Sequence, residues 1–330
     1  MFPNKIILVT GGTGSWGQEL ITQLLSKGPK EIRIFSRNET SQVAMKHKFE
    51  NNAKLKFIIG DVRDKDAVLD ACDGVDYIFH LAALKHVPVC EFQPLEALKT
   101  NVLGTQNIID AAIEKDIEKV INISTDKAAN PSNFYGYTKA MAEKLIINAN
   151  LLTNKTKFVC VRGGNVLGTS GSVIHLFKHD IKSKNKVRIT DKKMTRFFLT
   201  IKDAISLLFK ATYESHGGEI FVMKMPTFKI IELAHVLIDE YSPNKEVNIE
   251  EIGIRPGEKL HELLLTEFES QNTVVYDNEY FVILPTIPNN GLLEYYQSYP
   301  KVDLETYSSK DNIIDYDQIK TMLKDGGFLE

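Results

Sequence analysis

The chain has 330 residues, of which 43% are hydrophobic and 25% charged, and its formal net charge at pH 7 is −3. A chain of this size and composition is expected to form one large globular domain and a smaller one. The weak negative charge argues against nucleic acid or an anionic membrane surface as the main partner. No stretch approaches the ~20 apolar residues of a membrane span.

The N-terminus and the cysteines indicate the compartment. The chain runs from Met1 directly into an apolar strand, with no charged leader and no cleavage site of a signal peptide. Cys72, Cys90 and Cys160 are scattered and form no metal or disulfide pattern, which is typical of a reducing compartment. We therefore expect a cytoplasmic protein.

Short apolar runs alternate with helical patterns through the first half of the chain. Strands spaced in this way, with helices between them, predict βαβ units, right-handed crossovers and a Rossmann-type doubly wound parallel sheet. The first helix is predicted at residues 16–25. The predicted strands are residues 5–10, 31–36, 55–60, 76–82, 119–124 and 158–162.

After about Gly163 the segments become shorter and more mixed. We predict an α/β fold with a Rossmann domain in residues 1–163, a smaller α/β domain in residues 164–285 and a tail in residues 286–330. Later segments are expected to complete the large sheet. The predicted elements of this half are helices at 172–181, 202–211, 230–239 and 315–324 and strands at 197–200 and 219–223.

A glycine-rich turn follows the first strand and opens the first helix. Gly11, Gly14 and Gly17 keep a three-residue spacing, and a tight turn, a close approach to pyrophosphate and a helix–strand contact each need a missing side chain. The helix N-terminus would then hold the pyrophosphate. An ordinary glycine turn is the alternative, but the strand–turn–helix context favours a dinucleotide site. The predicted contacts are Gly11, Thr13, Gly14, Ser15, Trp16 and Gly17.

The end of the second strand indicates which dinucleotide binds. An NAD site usually has Asp or Glu there, whereas this chain has Ser36 and Arg37. An arginine fork and a hydroxyl can bind a 2′-phosphate that a carboxylate would repel, so we predict NADP. The alternative is that Arg37 is an ordinary surface charge. The adenine and ribose would contact residues at the ends of the next strands, namely Asp61, Val62, Leu81, Ala82 and Ala83.

Tyr135 and Lys139 lie four residues apart near the start of a predicted helix, so both face one side of it. A tyrosine has an unperturbed pKa of about 10, and a neighbouring ammonium with a positively charged nicotinamide would lower it enough for the phenolate to act as a base. Lys139 would also hold the nicotinamide ribose. The spacing alone is common by chance, but after the glycine turn it resembles the Tyr–Lys pair of short-chain dehydrogenases.

Thr125, Asp126 and Lys127 follow the fifth strand directly, where a doubly wound sheet presents catalytic groups. Thr125 can donate a hydrogen bond to a substrate hydroxyl. Asp126 and Lys127 supply an acid and a base, which is more than hydride transfer requires. The alternative is a solvated turn with an incidental salt bridge.

Five segments together resemble one family. The chain is similar to the soluble, inverting UDP-N-acetylglucosamine 4,6-dehydratases, extended short-chain dehydrogenases of polysaccharide biosynthesis. The segments are residues 80–88 (HLAALKHVP), 98–105 (LKTNVLGT), 124–131 (STDKAANP), 194–197 (MTRF) and 252–262 (IGIRPGEKLHE).

The resemblance implies a mechanism and a substrate site. Tyr135, with Thr125, would take the C4 hydroxyl proton while hydride passes to NADP, and neutral Lys127 would remove the C5 hydrogen while Asp126 protonates the departing C6 hydroxyl. Retaining dehydratases of the glucose type have Glu in place of Lys127, so the resemblance implies inversion at C5. The substrate UDP-N-acetylglucosamine would contact Lys85, Asn165, Thr195, Arg196, Arg255 and Glu258.

Two positions depart from the family pattern. Its members carry a tyrosine at the position of Gly163 and an arginine near Ser170. Both lie beside the expected sugar pocket, so inversion, retention and release of an unsaturated 5,6-ene all stay open.

Other functions stay open as well. A 4-epimerase or reductase uses the same Tyr135 and Lys139 but needs no acid–base pair at Asp126 and Lys127. A cofactor-sensing regulatory protein on an inactive dehydrogenase fold would typically lose the Tyr–Lys pair. The resemblance and the apolar helix faces in residues 92–109 and 140–147 lead us to expect a homo-oligomer. The histidines lack ligand spacing, so we expect no metal site.

Overall fold

The computed structural model describes residues 2–169, 171–287 and 291–329. Its strands are β1 Ile6–Thr10, β2 Glu31–Ser36, β3 Leu55–Ile59, β4 Tyr77–His80, β5 Lys119–Thr125, β6 Lys157–Gly163, β7 Asn165–Val166, β8 Lys186–Ile189, β9 Thr195–Leu199, β10 Ile220–Met223, β11 Thr227–Lys229, β12 Asn248–Glu251, β13 Leu263–Leu265, β14 Thr273–Val275, β15 Tyr280–Ile283 and β16 Tyr307–Ser308.

The helices lie mostly between these strands. They are α1 Ser15–Leu25, α2 Glu39–Lys48, α3 Lys65–Ala71, α4 Val87–Phe92, α5 Pro94–Leu98, α6 Gly104–Glu114, α7 Phe134–Ala149, α8 Val173–Lys184, α9 Ile201–Glu214, α10 Ile230–Tyr241, α11 Glu267–Ser270, α12 Leu292–Tyr296 and α13 Tyr316–Asp325. A π-helical turn at Lys99–Leu103 precedes α6, and a 3₁₀ turn at Asp126–Ala128 follows β5.

A nine-stranded sheet in the order β14-β15-β10-β6-β5-β4-β1-β2-β3 forms the centre of the molecule. From β10 to β3 every neighbouring pair is parallel, and β15 and β14 add an antiparallel edge. The order reverses between β1 and β4, as in a doubly wound sheet. The predicted α/β fold with its Rossmann-type sheet is therefore confirmed.

The central strands are continuous apolar runs because helices cover both faces of the sheet. Ile7, Leu8 and Val9 of β1 are at most 1% exposed, which is the burial expected of a parallel strand between two helical layers. The predicted fourth strand, residues 76–82, is too long by one residue at its start and two at its end. The chain leaves the sheet after His80, and Leu81 and Ala82 instead line a cavity.

The second half of the chain divides between this sheet and a second core. Strands β10, β14 and β15 join the large sheet, whereas α8, α10 and α13 enclose a separate apolar cluster. Ile319 and Leu323 of the tail helix α13 are fully buried in that cluster. Among the helices of the described segments, none combines the length and apolar character that a bilayer crossing requires.

Helix α7 carries the predicted Tyr135 and Lys139 into the interior. It begins after Asn133, whose side chain accepts a hydrogen bond from the backbone N–H of Gly136 at 2.8 Å. This N-cap fixes the start of the helix. As a result Tyr135, Lys139 and Glu143, each four residues apart, all lie on its buried side.

Candidate active site

A cavity of about 600 Å³ lies at the carboxyl ends of the parallel strands, where the strand order reverses. This is where ligands bind in open α/β sheets. Every residue predicted to contact the cofactor or to act in catalysis lines it. Two of the predicted substrate contacts, Lys85 and Asn165, line it as well.

The glycine turn leaves no room for side chains. Gly11 has a φ of +66°, and a Cβ atom on it would lie 2.9 Å from the backbone nitrogen of Ala82. A Cβ atom on Gly17 would overlap the carbonyl oxygen of Gly12. Helix α1 starts in extended backbone at Gly14, with neither a side-chain cap nor an acidic residue in its first turn. The turn therefore presents backbone N–H groups and a positive helix end to the cavity, which suits a pyrophosphate.

Arg37 and Asp61 both line the cavity and lie close together. An Arg37 Nη1 atom is 3.7 Å from Asp61 Oδ2, and the Arg37 side chain is 53% exposed. Arg63 binds the same carboxylate more closely, through Nη2 at 2.6 Å and Nε at 2.8 Å. Burial opposes ionisation of Asp61, but the hydrogen bonds from Arg63 outweigh it and hold the pKa of Asp61 below its usual value. Arg37 is thus only loosely paired.

Thr125, Asp126 and Lys127 form one hydrogen-bonded group on the cavity wall. Asp126 is buried, and its Oδ1 accepts from Thr125 Oγ1 at 2.8 Å and from Lys127 Nζ at 2.9 Å. Burial lowers the pKa of Lys127, but the carboxylates of Asp126 and Glu262 more than compensate, so the net pKa is raised. The pair at rest is therefore an ammonium and a carboxylate.

Tyr135 is buried beside this group. Burial raises the pKa of its phenol to about 12, although the ammonium of Lys127 and a hydrogen bond with Thr125 act in the opposite direction. The protein alone thus leaves Tyr135 protonated. A further positive charge, such as that of a nicotinamide, is needed to make it a base.

Lys139 lies deeper than Tyr135. Its ammonium donates to the carbonyl oxygen of Ile123 at 2.6 Å. Burial lowers the pKa of Lys139 more than Cys160 and Glu143 raise it, so the net pKa is below its usual value.

Several buried polar atoms of the cavity wall have no hydrogen-bond partner among the residues that the structure describes. Buried polar groups normally have partners, so these atoms fit a polar ligand. They are Asp126 Oδ2, Ser124 Oγ, Thr100 Oγ1 and Asn165 Oδ1.

The other predicted substrate contacts lie outside the cavity lining. Arg196 is buried and donates to the carbonyl oxygens of Thr195 at 2.7 Å and Leu260 at 3.2 Å. The hydroxyl of Thr195 lies 2.8 Å from both His261 Nδ1 and Ser309 Oγ.

Arg255 and Glu258 lie nearer the surface. The Arg255 guanidinium is 3.8 Å from the carboxylate of Glu258, and its side chain is 55% exposed. Their roles towards substrate stay predictions, as do those of Thr195 and Arg196.

Glu262 belongs to the site but was not among the predicted site residues. It is buried, and its Oε1 lies 3.7 Å from Lys127 Nζ and 3.8 Å from Arg196 Nε. A charged residue among the apolar side chains of residues 260–265 was the feature that could have pointed to it.

Of the two positions that depart from the family pattern, the structure describes Gly163 and not Ser170. A Cβ atom on Gly163 would lie 3.3 Å from the sulfur of Met223 and 3.9 Å from that of Met225. Two methionine side chains thus occupy the space beside position 163. Ser170 lies outside the described residues.

His80 has a structural environment. Its Nδ1 is 2.7 Å from Thr10 Oγ1 and its Nε2 is 3.1 Å from Thr105 Oγ1. Burial lowers the pKa of this imidazole to about 3, with a smaller contribution from Lys139, so it is neutral at physiological pH. Within the described residues, no group of three or more His, Cys, Asp or Glu side chains is arranged to hold a metal ion.

Comparison with known proteins places the chain in a family. Residues 7–284 match the family model described as polysaccharide biosynthesis protein. An inverting UDP-N-acetylglucosamine 4,6-dehydratase from Campylobacter jejuni is 44% identical over 87% of this chain and 85% of its own length. A UDP-glucose 4-epimerase from Rickettsia rickettsii is 45% identical over 82% of this chain and 80% of its own length.

Two solved structures extend the likeness to the fold. The structure of Pen from Bacillus thuringiensis is 38% identical, with a TM-score of 0.91 over 98% of this chain and 99% of that one. A dTDP-glucose 4,6-dehydratase from Streptomyces venezuelae, solved with NAD and TYD bound, shares the fold at 20% identity, with a TM-score of 0.72 over 97% of this chain and 96% of that one. The chain therefore belongs to the polysaccharide biosynthesis protein family, on the fold of the extended short-chain dehydrogenases.

Proposed function

We propose that this chain is a UDP-N-acetylglucosamine 4,6-dehydratase that uses bound NADP and inverts the configuration at C5. The observation that carries the proposal is the hydrogen-bonded pair of Asp126 and Lys127 on the cavity wall, at 2.9 Å, beside Tyr135. Dehydration needs an acid and a base in addition to the group that serves hydride transfer, and this cavity contains all three.

Bound NADP would supply the hydride acceptor for C4 and return the hydride to C6. Tyr135 would take the proton of the C4 hydroxyl, with Thr125 donating a hydrogen bond to the same oxygen. The 4-ketone acidifies the C5 hydrogen, which Lys127 would then remove. Asp126 would protonate the C6 hydroxyl so that it leaves as water.

The pair reaches its reactive form by one internal proton transfer. At rest Lys127 is an ammonium and Asp126 a carboxylate. Transfer of one proton across the 2.9 Å hydrogen bond gives the amine and the carboxylic acid that elimination needs.

NADP is proposed over NAD because Arg37, and not a carboxylate, follows β2, and because its contact with Asp61 is loose. A 2′-phosphate would offer Arg37 a stronger partner. The fold-level relative with bound NAD supports a dinucleotide in this cavity.

A second candidate function is 4-epimerisation. A relative as similar as the dehydratase carries that name, and the reaction uses the same Tyr135 and Lys139. It would leave the Asp126–Lys127 pair without a role.

One experiment decides between the two. Purified protein is incubated with UDP-N-acetylglucosamine in deuterated water, and the product is analysed by mass spectrometry and proton NMR. Loss of one water supports dehydration, and the NMR spectrum reports the C5 configuration. Unchanged mass with a changed C4 configuration would establish epimerisation instead.

We also propose that the protein forms a homo-oligomer. Apolar side chains are exposed on the helices next to the cavity, among them Phe92 at 87%, Leu103 at 51% and Met141 at 51%. Exposed apolar side chains in such numbers are typical of an interaction surface. Sedimentation showing only monomer would contradict this.

A further inference from the structure

Lys127 has a second carboxylate beside it. Asp126 binds its ammonium at 2.9 Å, and Glu262 lies at 3.7 Å. Glu262 is buried and is absent from the cavity lining, so it is placed to act on Lys127 and not on a ligand. We propose that Glu262 is a positioning residue that holds Lys127 and sets how firmly the Asp126–Lys127 pair keeps its shared proton. This inference rests on the proposed dehydration.

The backbone of Glu262 is fixed from the tail. Its N–H donates to Ser309 Oγ at 2.9 Å, and the N–H of Ser309 donates to its carbonyl oxygen at 2.9 Å. Ser309 Oγ also lies 2.8 Å from Thr195 Oγ1. Glu262 is therefore held where it stands by residues from two distant segments.

The need for this carboxylate follows from the reaction. When Asp126 has become a neutral acid, it no longer balances the charge that develops on Lys127 as it takes the C5 proton. Arg196 and Lys259 add positive charge around Lys127, and burial penalises its ammonium further. Glu262 is then the anion left to stabilise that ammonium, so it keeps Lys127 a competent base.

The charged and titratable groups facing Lys127 all enter this balance. Asp126 and Glu262 favour its ammonium, while Arg196 opposes it. The charge of Lys127 in turn acts to lower the pKa of Tyr135 and of Lys259. Removing the negative charge of Glu262 lowers the proton affinity of the whole group, so the pair loses its shared proton at a lower pH.

The test compares the wild type with Glu262→Gln, Glu262→Asp and a control, Glu267→Gln. Glu267 is exposed at the start of α11 and undergoes the same chemical change away from the site. For each protein the dehydration rate is measured against substrate concentration from acid to alkaline pH, and thermal unfolding checks the fold.

We expect Glu262→Gln to lower kcat at least tenfold with KM nearly unchanged. On the alkaline side of the kcat profile, the pH at which kcat falls (the alkaline limb) should be lower than in the wild type by about one pH unit or more. If kcat of the wild type does not fall within the measured pH range, kcat of Glu262→Gln should. Glu262→Asp, which keeps the charge, should restore most of the limb, and Glu267→Gln should match the wild type.

Two results would overturn the inference, and a third would remove its basis. An unshifted limb in Glu262→Gln rejects control of the shared proton, and a raised KM at unchanged kcat would make Glu262 a substrate contact. If the wild type itself releases no water, the proposed function fails, and the inference fails with it. Water release by the wild type with an unshifted limb in the variant rejects the inference alone.

Discussion

Arg37 is the residue on which the proposed choice of NADP depends. Its side chain is 53% exposed, and its nearest described anion is Asp61 at 3.7 Å, so no strong ion pair has to be broken for it to bind a phosphate. A charge-assisted hydrogen bond contributes ~1.5–3 kcal/mol, and solvent screening at this exposure reduces that to ~1–2 kcal/mol. Arg37→Ala should therefore weaken NADP binding by roughly 5- to 30-fold.

The assay is calorimetric titration of cofactor-stripped protein with NADP and with NAD. Because NAD lacks the 2′-phosphate, its affinity should change less than about twofold in Arg37→Ala. Arg63→Ala is the matched control, since Arg63 binds the same Asp61 carboxylate at 2.6 Å but does not line the cavity. Equal weakening of both dinucleotides, or the same loss in Arg63→Ala, would refute a direct contact between Arg37 and the 2′-phosphate.

Three further predictions concern the turn and the buried charges. Gly11→Ala puts a Cβ atom 2.9 Å from the Ala82 nitrogen at a φ of +66°, so urea denaturation should show a loss of at least ~2 kcal/mol and titration a weaker dinucleotide complex; unchanged binding would contradict the proposed pyrophosphate turn. Arg162 binds the carboxylates of Glu143 and Glu269 at 2.6 and 2.8 Å, and Arg162→Met leaves both without their buried cation. The free energy of unfolding should therefore fall by ~3–5 kcal/mol. A loss below ~1 kcal/mol would mean that the site relaxes or admits water. Burial opposes ionisation of Glu269, but Arg162 outweighs burial and lowers the pKa of Glu269. The Glu269 carboxylate therefore stabilises the fold above its unfolded pKa of about 4.3, and this stabilisation is lost as the pH falls through the lower folded pKa. Unfolding free energies measured from pH 6 to 3 should fall less steeply in Glu269→Gln than in the wild type.

The first half of the fold could be predicted because its determinants are local. The central parallel strands, such as β1, are apolar runs buried on both faces, and the turn after β1 needs glycines whatever lies elsewhere in the chain. The same holds for Tyr135 and Lys139, whose spacing on one helix brings them into one cavity. Strands β13 and β14 have three residues each, too few to show a period, and were not predicted.

The environment of Lys127 could not be predicted, because it depends on contacts between distant segments. Arg196 was expected from the resemblance to contact the substrate, and its described contacts are two backbone carbonyl oxygens and Glu262. Glu262 lies beside Lys127, and Ser309 of the tail holds its backbone. No local pattern encodes such a contact, so the sequence indicated an acid and a base but not the charges that set their proton affinity.

The proton balance of the proposed reaction connects these residues. Over one turnover Tyr135 would gain the proton of the C4 hydroxyl and Asp126 would give one to the departing water. Lys127 would gain the C5 proton, which returns the pair to its resting ammonium and carboxylate. Inversion requires C5 to receive its new proton on the face opposite Lys127. The enzyme is restored once Tyr135 has released the proton that it gained. The Thr125 hydroxyl donates to Asp126 at 2.8 Å and is also hydrogen-bonded with Tyr135. Thr125 thus joins the proposed acid of the elimination and the proposed base of the oxidation in one hydrogen-bonded set.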